Sequence, residues 1–523
     1  MNALRADVAI IGGGLGACAA ALAVARLGRR VVLTEETRWV GGQLTNQAVP
    51  PDEHPWIERF GAPASYRALR NGIRAYYRRH LPLTPKAAAD EALNPGNGWV
   101  SRLCHDPRIA VSVLHELMAP HQVAGRLIVL APHRLTRAVA LGDRVIGVVV
   151  RGLESGNDVA IDAPYFIDAT PYGDLLALAG VEHVVGAEAQ SATGEPHAPE
   201  RADPKNQQAI TMCFAMEHLP GEDHTLERPA QYEQWRKLRP PHWPGLLLDW
   251  TTPRPETHEP IRRQLFEAPD GKPWWQFRRI LDVTQFQPGF ARSDVTVVNW
   301  PHNDYWLGPV VGVDPAEAAR HLYGADELSL SLLYWLQTEA PRPDGGQGYP
   351  GLKLRPDVVG GAADGLALAP YVRESRRLRA ELTVVEQHIA HPLRPDGPEL
   401  FPDSVGVGCY RIDLHPSTSG APYLDLGCWP FQIPLGALIP VRVENLLPGG
   451  KNLGVTHITN GAFRVHPVEW SVGEAAGCLA VFCLEKGESP RAVRSRPGSL
   501  DAFQSLLRRQ GVELEWPRPL QPL

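Results

Sequence analysis

The pattern of apolar and polar positions is clearest at the start of the chain. Asp7 to Ile11 is a short run that is apolar from Val8 onward and rich in Val and Ile, the character of a parallel strand covered on both faces. It ends on Gly12-Gly13-Gly14-Leu15-Gly16-Ala17, and an alanine-rich stretch follows with Gly28 as its stop. Val31 to Leu33 is a second apolar run, leading into Glu35 and Glu36. Strand, glycine turn, helix, strand and acid in that register predict a dinucleotide-binding βαβ unit. Gly12 permits the turn, Gly14 lets backbone approach a pyrophosphate, and Ala17 is small enough for the helix to lie close on its strand. Glu35 falls where an acid accepts the hydroxyls of an adenosine ribose, which suits FAD and NAD alike and disfavours a 2′-phosphate.

Further on, Ser65–Arg79 and Arg108–Ala119 carry helical periodicity, and Arg126–Leu130, Arg134–Leu141, Arg144–Arg151 and Asn157–Ile161 read as strands of a meander. Ala163 to Thr170 returns to a buried strand ending on Asp168, Ala169 and Thr170. Residues 191–300 change character, being rich in Pro, charge and Trp, which marks a second lobe. Asp314-Pro315-Ala316-Glu317 predicts a helix start, with helix again over Glu327–Glu339 and Arg373–His388. Asn445 to Leu453 is a strand running into a glycine turn, Thr456–His466 reads as polar loop, and Pro467–Leu484 as a long helix with small residues along it. A helix after that turn can aim its N-terminus at the N1/C2=O edge of a flavin, which moves the balance from NAD to FAD.

At 523 residues and 44 % apolar content the chain is long enough for two lobes. The formal charge of −6 comes without a long basic run, so nucleic acid is not expected as a partner. No secretory signal and no uninterrupted 18-residue apolar window is evident, so no membrane partner and a cytoplasmic location are expected. Seven scattered cysteines without C-x-x-C read as buried thiols, and nineteen histidines without H-x-x-x-H predict no metal.

Several runs resemble the FAD-dependent oxidoreductases of the glutathione-reductase-like fold, in particular a bacterial subgroup often labelled "xanthan lyase", a label the flavin motifs do not support. They are Val40–Gln47 with Pro51–His54, Phe166–Glu195, Asn299–Tyr305, Tyr334–Glu339, Pro370–Arg377, Asp413–Pro416, Pro434–Pro440 and Asn445–Gly477. The resemblance implies an α/β fold: a Rossmann-like FAD lobe of residues 1–190 and 440–523, and an α+β substrate lobe of 191–439. It implies non-covalent FAD, with the adenosine side at Gly12, Gly14, Leu15, Gly16, Ala17, Glu35 and Glu36. The ribityl and ring would lie near Gly41, Gly42, Gln43, Leu44, Asp168, Ala169, Thr170, Gly450, Lys451 and Asn452. Two departures stand out. Pro171-Tyr172 replaces a usual Gly-Asp, and Gly450-Lys451-Asn452 stands where Gly-Asp commonly holds the ribityl chain.

Flavin chemistry belongs to the cofactor, and protein groups orient and move protons. His457, Asn460, Arg464 and His466 fall between the glycine turn and the last helix, beside the expected ring, with either histidine a candidate base. Arg373, His302, Tyr305 and His415 are candidate contacts for a small polar substrate. The expected reaction is dehydrogenation of a C–OH or C–NH group by hydride transfer to flavin N5. A monooxygenase using NAD(P)H and oxygen, and a non-redox role with structural FAD, are the alternatives. A homo-oligomer stays open.

Overall fold

The computed structural model describes residues 2–523. Its organising element is a five-stranded parallel sheet built from β1 (Val8–Ile11), β2 (Val31–Thr34), β3 (Leu127–Leu130), β4 (Tyr165–Asp168) and β5 (Leu446–Pro448), in the order β5-β4-β1-β2-β3. Four of the five strands come from the first 170 residues, and β5 inserts from the far end of the chain. The run at 127–130 is therefore an edge strand of this sheet, and does not belong to the meander. The meander is the next three strands, His133–Leu141, Arg144–Gly152 and Asp158–Asp162, which form a separate sheet with Asn2–Arg5.

Helix α1 (Leu15–Arg26) follows β1 and is buried along nearly its whole length. It lies directly on the long helix α3 (His466–Lys486), and both present small residues at the crossing. A Cβ on Gly473 would sit 1.9 Å from the Gly16 carbonyl oxygen, and one on Gly477 2.7 Å from that of Ala20. Only glycine lets the two backbones touch. By length and composition α3 is apolar enough to cross a membrane, and its residues are packed in the core here.

The tryptophan-rich stretch folds onto a second core. An antiparallel sheet of Arg279–Leu281, Val295–Val298, Phe214–His218 and Leu352–Leu354 packs with the helix Pro315–Thr338 and buries Trp235, Trp250, Trp300 and Trp335. As expected, Asp314 caps that helix, accepting the N–H groups of Ala316 and Glu317. Residues from Val384 to Ile439, including the paired strands Ser404–Gly408 and Phe431–Pro434, share the first core with α1 and α3.

Two local expectations fail. Arg373–His388 is not a helix: Arg377–Leu378 pairs as a short strand with His183–Val184, and helix forms only over Glu386–Ile389. Thr456–His466 is not a loop: α2 (His457–Phe463) forms there, with the Thr456 hydroxyl accepting the Thr459 N–H as a cap. All seven cysteines are buried and unpaired.

Candidate active site

The carboxyl ends of β1, β2, β4 and β5 open on a cleft lined by Gly14, Gly16, Glu35, Gly42, Gln43, Ala169, Thr170, Gly450, Lys451 and Asn452. Asn46, Gln47, Pro171, Gly449 and Glu469 complete it and were not among the expected cofactor contacts. It continues, through shared walls at Glu35, Asn46 and Thr170, into a cavity of about 550 Å³ bounded by Gly12, Glu36, His133, Arg134 and Tyr172. A cavity of that size suits a small-molecule or cofactor moiety.

Three of the four fingerprint glycines serve different ends. Gly12 has φ +92°, and a Cβ there would lie 2.4 Å from the Ala169 carbonyl oxygen, so the fold itself requires glycine. Gly16 is pressed against the β5 turn, with Gly449 O 1.8 Å and Glu469 O 2.7 Å from a Cβ. The close approach expected at Ala17 is made by Gly16; Ala17 and Leu15 point into the core. Gly14 is different. Its φ is −62° and the nearest protein atom to a Cβ is 3.6 Å away. Nothing in the protein demands glycine there, and the Cβ it lacks would stand in the cleft. No side chain caps α1, so its first N–H groups remain available to an anion.

Glu35 is buried at the end of β2. One carboxylate oxygen accepts the Gly13 N–H at 2.9 Å; the other accepts the Thr37 N–H, the Thr37 hydroxyl and the Asn46 amide. Burial pushes its pKa up to about 7 despite these bonds. Glu36 stands at the rim of the wider cavity, half exposed and paired with Arg134. Asp168 is not a cleft residue. Its carboxylate turns inward to accept the Thr170 N–H and hydroxyl and the Leu176 N–H, while its carbonyl accepts Gly449 N–H and the Asn452 amide. Burial raises it to about 6. Asp168 thus ties β4 to the β5 turn. Gly41 and Leu44 play a similar supporting part: Gly41 donates its N–H to Gly13 O, holding Gly42 beneath Gly14, and Leu44 is core.

Four buried amide oxygens of cleft residues, those of Gln43, Asn46, Gln47 and Asn452, have no hydrogen-bond partner among the described residues. Buried acceptors are rarely left so. Facing a cleft with Glu35 at one end, they match the hydroxyl and N–H donors of FAD. At the other end Lys451 Nζ pairs with Glu469 at 3.4 Å, both buried, placing a carboxylate in the first turn of α3.

The two histidines beside this region differ sharply. His466 is not free to act as a base: Nδ1 accepts the Asp52 N–H at 3.0 Å, so Nε2 carries the proton toward Val49 O at 3.2 Å. Burial lowers it to about 4. His457 has Nδ1 at 2.9 Å from Glu374 and no partner at Nε2 among the described residues. Glu374 also meets Arg377 and the Gln208 N–H, and Glu188 bridges Arg377 to the His457 N–H. Burial pushes Glu374 up, but His457 and Arg377 outweigh it and hold it below the ordinary carboxylate value. Neither Glu188 nor Glu374 carries a local signal that could have singled it out.

Next to this pair, Asn460 donates to the Arg373 carbonyl and Arg464 bonds Asp413 and Tyr371. Arg373 is fully buried against Asp304, and His415 sits at 2.5 Å from the same carboxylate. Two expected substrate contacts lie elsewhere. His302 is packed among Trp243, Trp274 and Trp300 with Nε2 on the Asp249 carbonyl, and the Tyr305 hydroxyl is bonded to His321.

The parallel sheet, with Glu35 beyond β2 and the turn after β5 bounding a cleft at its carboxyl ends, defines a nucleotide-binding α/β fold. The family model for FAD dependent oxidoreductases matches residues 7–507, and the chain belongs to that family. No curated protein matches it in sequence. Among solved structures it is similar to L-proline dehydrogenase from P. horikoshii (17% identity, 35% of this chain and 24% of that one, TM-score 0.18). It is also similar to the flavin-dependent monooxygenase PieE (17%, 41% and 35%, 0.24). A geranylgeranyl bacteriochlorophyll reductase-like protein from Thermoplasma acidophilum matches over more length (11%, 98% and 85%, 0.35). The chain thus spans about a quarter and a third of the first two proteins.

Proposed function

We propose that this enzyme dehydrogenates a C–OH or C–NH group of a small polar substrate, with Nε2 of His457 receiving the proton. The observation that carries the reading is the Glu374–His457 pair. A carboxylate at Nδ1 fixes the tautomer, leaving the Nε2 lone pair free. Glu374, held below its ordinary value, stays ionised and favours the imidazolium that forms. Non-covalently bound FAD would be held by the α1 N-terminus and Gly14 at its phosphates, Glu35 at its ribose, and Gln43, Asn46, Gln47 and Asn452 nearer the ring. When bound it supplies the hydride acceptor.

The proposed FAD lobe takes in residues 1–190 and 440–523, extended to Val384 because 384–439 share its core; the remainder of 191–439 forms the substrate lobe. Seven unpaired thiols suit a reducing compartment, and the cytoplasm is the proposed location.

Anaerobic mixing of the FAD-loaded enzyme with alcohols and amines tests the reaction. Bleaching by a substrate alone is expected, and His457→Asn should slow it while keeping bound flavin. Bleaching only by NAD(P)H would place the enzyme with the monooxygenases instead.

A further inference from the structure

Lys451 is the one cation among the described residues that line the cleft beside Gly14 and Gly16; the charged groups sharing it are Glu35 and Glu469. Its backbone is fixed. On either side of it, the Gly449 N–H and the Asn452 side-chain amide both donate to the Asp168 carbonyl, at 2.7 and 2.9 Å. Gly449 O is in turn pressed against Gly16 in the first turn of α1. The ammonium is held far less firmly. Nζ has Glu469 as its sole partner among the described residues, at 3.4 Å, where a charge-assisted bond of full strength measures about 2.7–2.9 Å. The Glu469 carboxylate accepts from no other described residue, and it lies beside Gly450, whose Cβ would be 3.3 Å from it. Both side chains are 7 % exposed. A buried ammonium with three donors and one long contact is short of acceptors.

The charge that FAD brings decides what completes it. FAD is neutral at its adenine, ribityl chain and oxidised ring, and carries two negative charges at its pyrophosphate. The N-terminus of α1, which no side chain caps, offers about half a positive charge against them. Glu35 and Glu469 offer none. In the adjoining cavity Arg134 and Arg376 are already paired, with Glu36 and Asp174. Lys451 is left as the one whole cation in the cleft itself. Turned to the ribityl hydroxyls, it would leave the buried dianion without a cation, which is costly.

We propose that Lys451 binds the pyrophosphate of FAD through the N–H groups that Glu469 leaves unfilled. Glu469 positions the ammonium, and its own charge opposes the ligand it helps to bind. The inference rests on the FAD reading and is independent of His457 and of the reaction.

The test is binding by the full chain stripped of FAD. Adenosine, ADP, riboflavin and FAD are titrated by calorimetry, and the two flavins by fluorescence as well. Lys451→Met with Glu469→Leu removes both charges together, so that no stranded carboxylate unsettles the fold. This double variant should bind ADP and FAD about tenfold or more weakly, with adenosine and riboflavin within about twofold of wild type. If Lys451 served only to pair Glu469, removing both would leave the affinity for ADP intact. Glu469→Gln keeps the ammonium and removes the opposing charge, so ADP and FAD should each bind about threefold or more tightly. Wild-type affinity for FAD in the double variant would overturn the proposal, as would a loss of riboflavin with ADP retained. So would Glu469→Gln binding FAD no more tightly than wild type, a result that stands even where the double variant does not fold. A wild-type protein that binds neither FAD nor ADP overturns the FAD reading instead.

Discussion

Gly14→Ala and Gly16→Ala separate what the ligand requires from what the fold requires. At Gly14 the new methyl would be 3.6 Å from its nearest protein neighbour, in a backbone conformation open to any residue. Losing a glycine from the unfolded chain stabilises by about 0.4–1 kcal/mol, and alanine is the poorer helix cap by a few tenths. The apoprotein should therefore change by less than about 1 kcal/mol. The methyl would instead enter the space proposed for a bound pyrophosphate, and forcing it into a filled contact costs about 1–3 kcal/mol, or roughly 5- to 150-fold in Kd for FAD. At Gly16 the order reverses. With Gly449 O 1.8 Å away, α1 and the β5 turn must part by on the order of 1.5 Å to restore ordinary contact, so stability should fall by about 3 kcal/mol or more. Thermal unfolding of the FAD-stripped proteins, beside titration with FAD followed by flavin fluorescence, reads both quantities. If Gly14→Ala unfolds the apoprotein or binds FAD like wild type, or if Gly16→Ala is as stable as wild type, the division of roles is wrong.

Three further outcomes are expected. His466→Leu should cost about 1–3 kcal/mol of stability, because the buried Asp52 N–H loses its acceptor; His457→Asn should leave the melting temperature near wild type and lower turnover about 100-fold or more. The reverse pattern in melting and rate would exchange their roles. Glu35→Gln should gain stability relative to wild-type apoprotein as pH rises. The folded carboxyl titrates at about 7, above its unfolded value, so the wild-type contribution is full below the unfolded pKa and is lost as pH rises through 7. Between pH 5 and 8 the difference should grow by about 2–3 kcal/mol in urea unfolding, and a gap independent of pH would refute it. Lys451→Met should destabilise by about 3–5 kcal/mol by stranding Glu469, and Lys451→Met with Glu469→Leu should recover much of that loss in the same assay.

The opening βαβ unit, the Asp314 helix start and the strand ending at Asp168 were all readable locally, because each is specified by residues adjacent in the chain. Arg373 to His388 was not. Its Arg, Glu, Leu and Ala have helical preference, but Arg373 and Arg377 are buried, and their partners Asp304 and Glu188 come from distant segments. Extended backbone sends Arg373 toward Asp304 while its neighbour Glu374 reaches His457, and those buried ion pairs outweigh a propensity worth tenths of a kcal/mol per residue. The polar Thr456–Arg464 segment becomes helical for a related reason: Glu195 accepts the Thr456 hydroxyl and Glu188 the His457 N–H, fastening its first turn from outside.

The same physics explains why the catalytic candidates were the least legible part of the chain. His457 and His466 lie nine residues apart in one polar stretch, and no pattern of neighbours tells them apart. What distinguishes them is a backbone N–H and a carbonyl more than 400 residues away, which occupy both nitrogens of His466, and a carboxylate at position 374, which occupies only one nitrogen of His457. A fold motif recruits its partners from within a few turns of chain. A proton-transfer group is defined by the one nitrogen that long-range packing leaves unfilled, and that vacancy exists only once the chain has closed on itself.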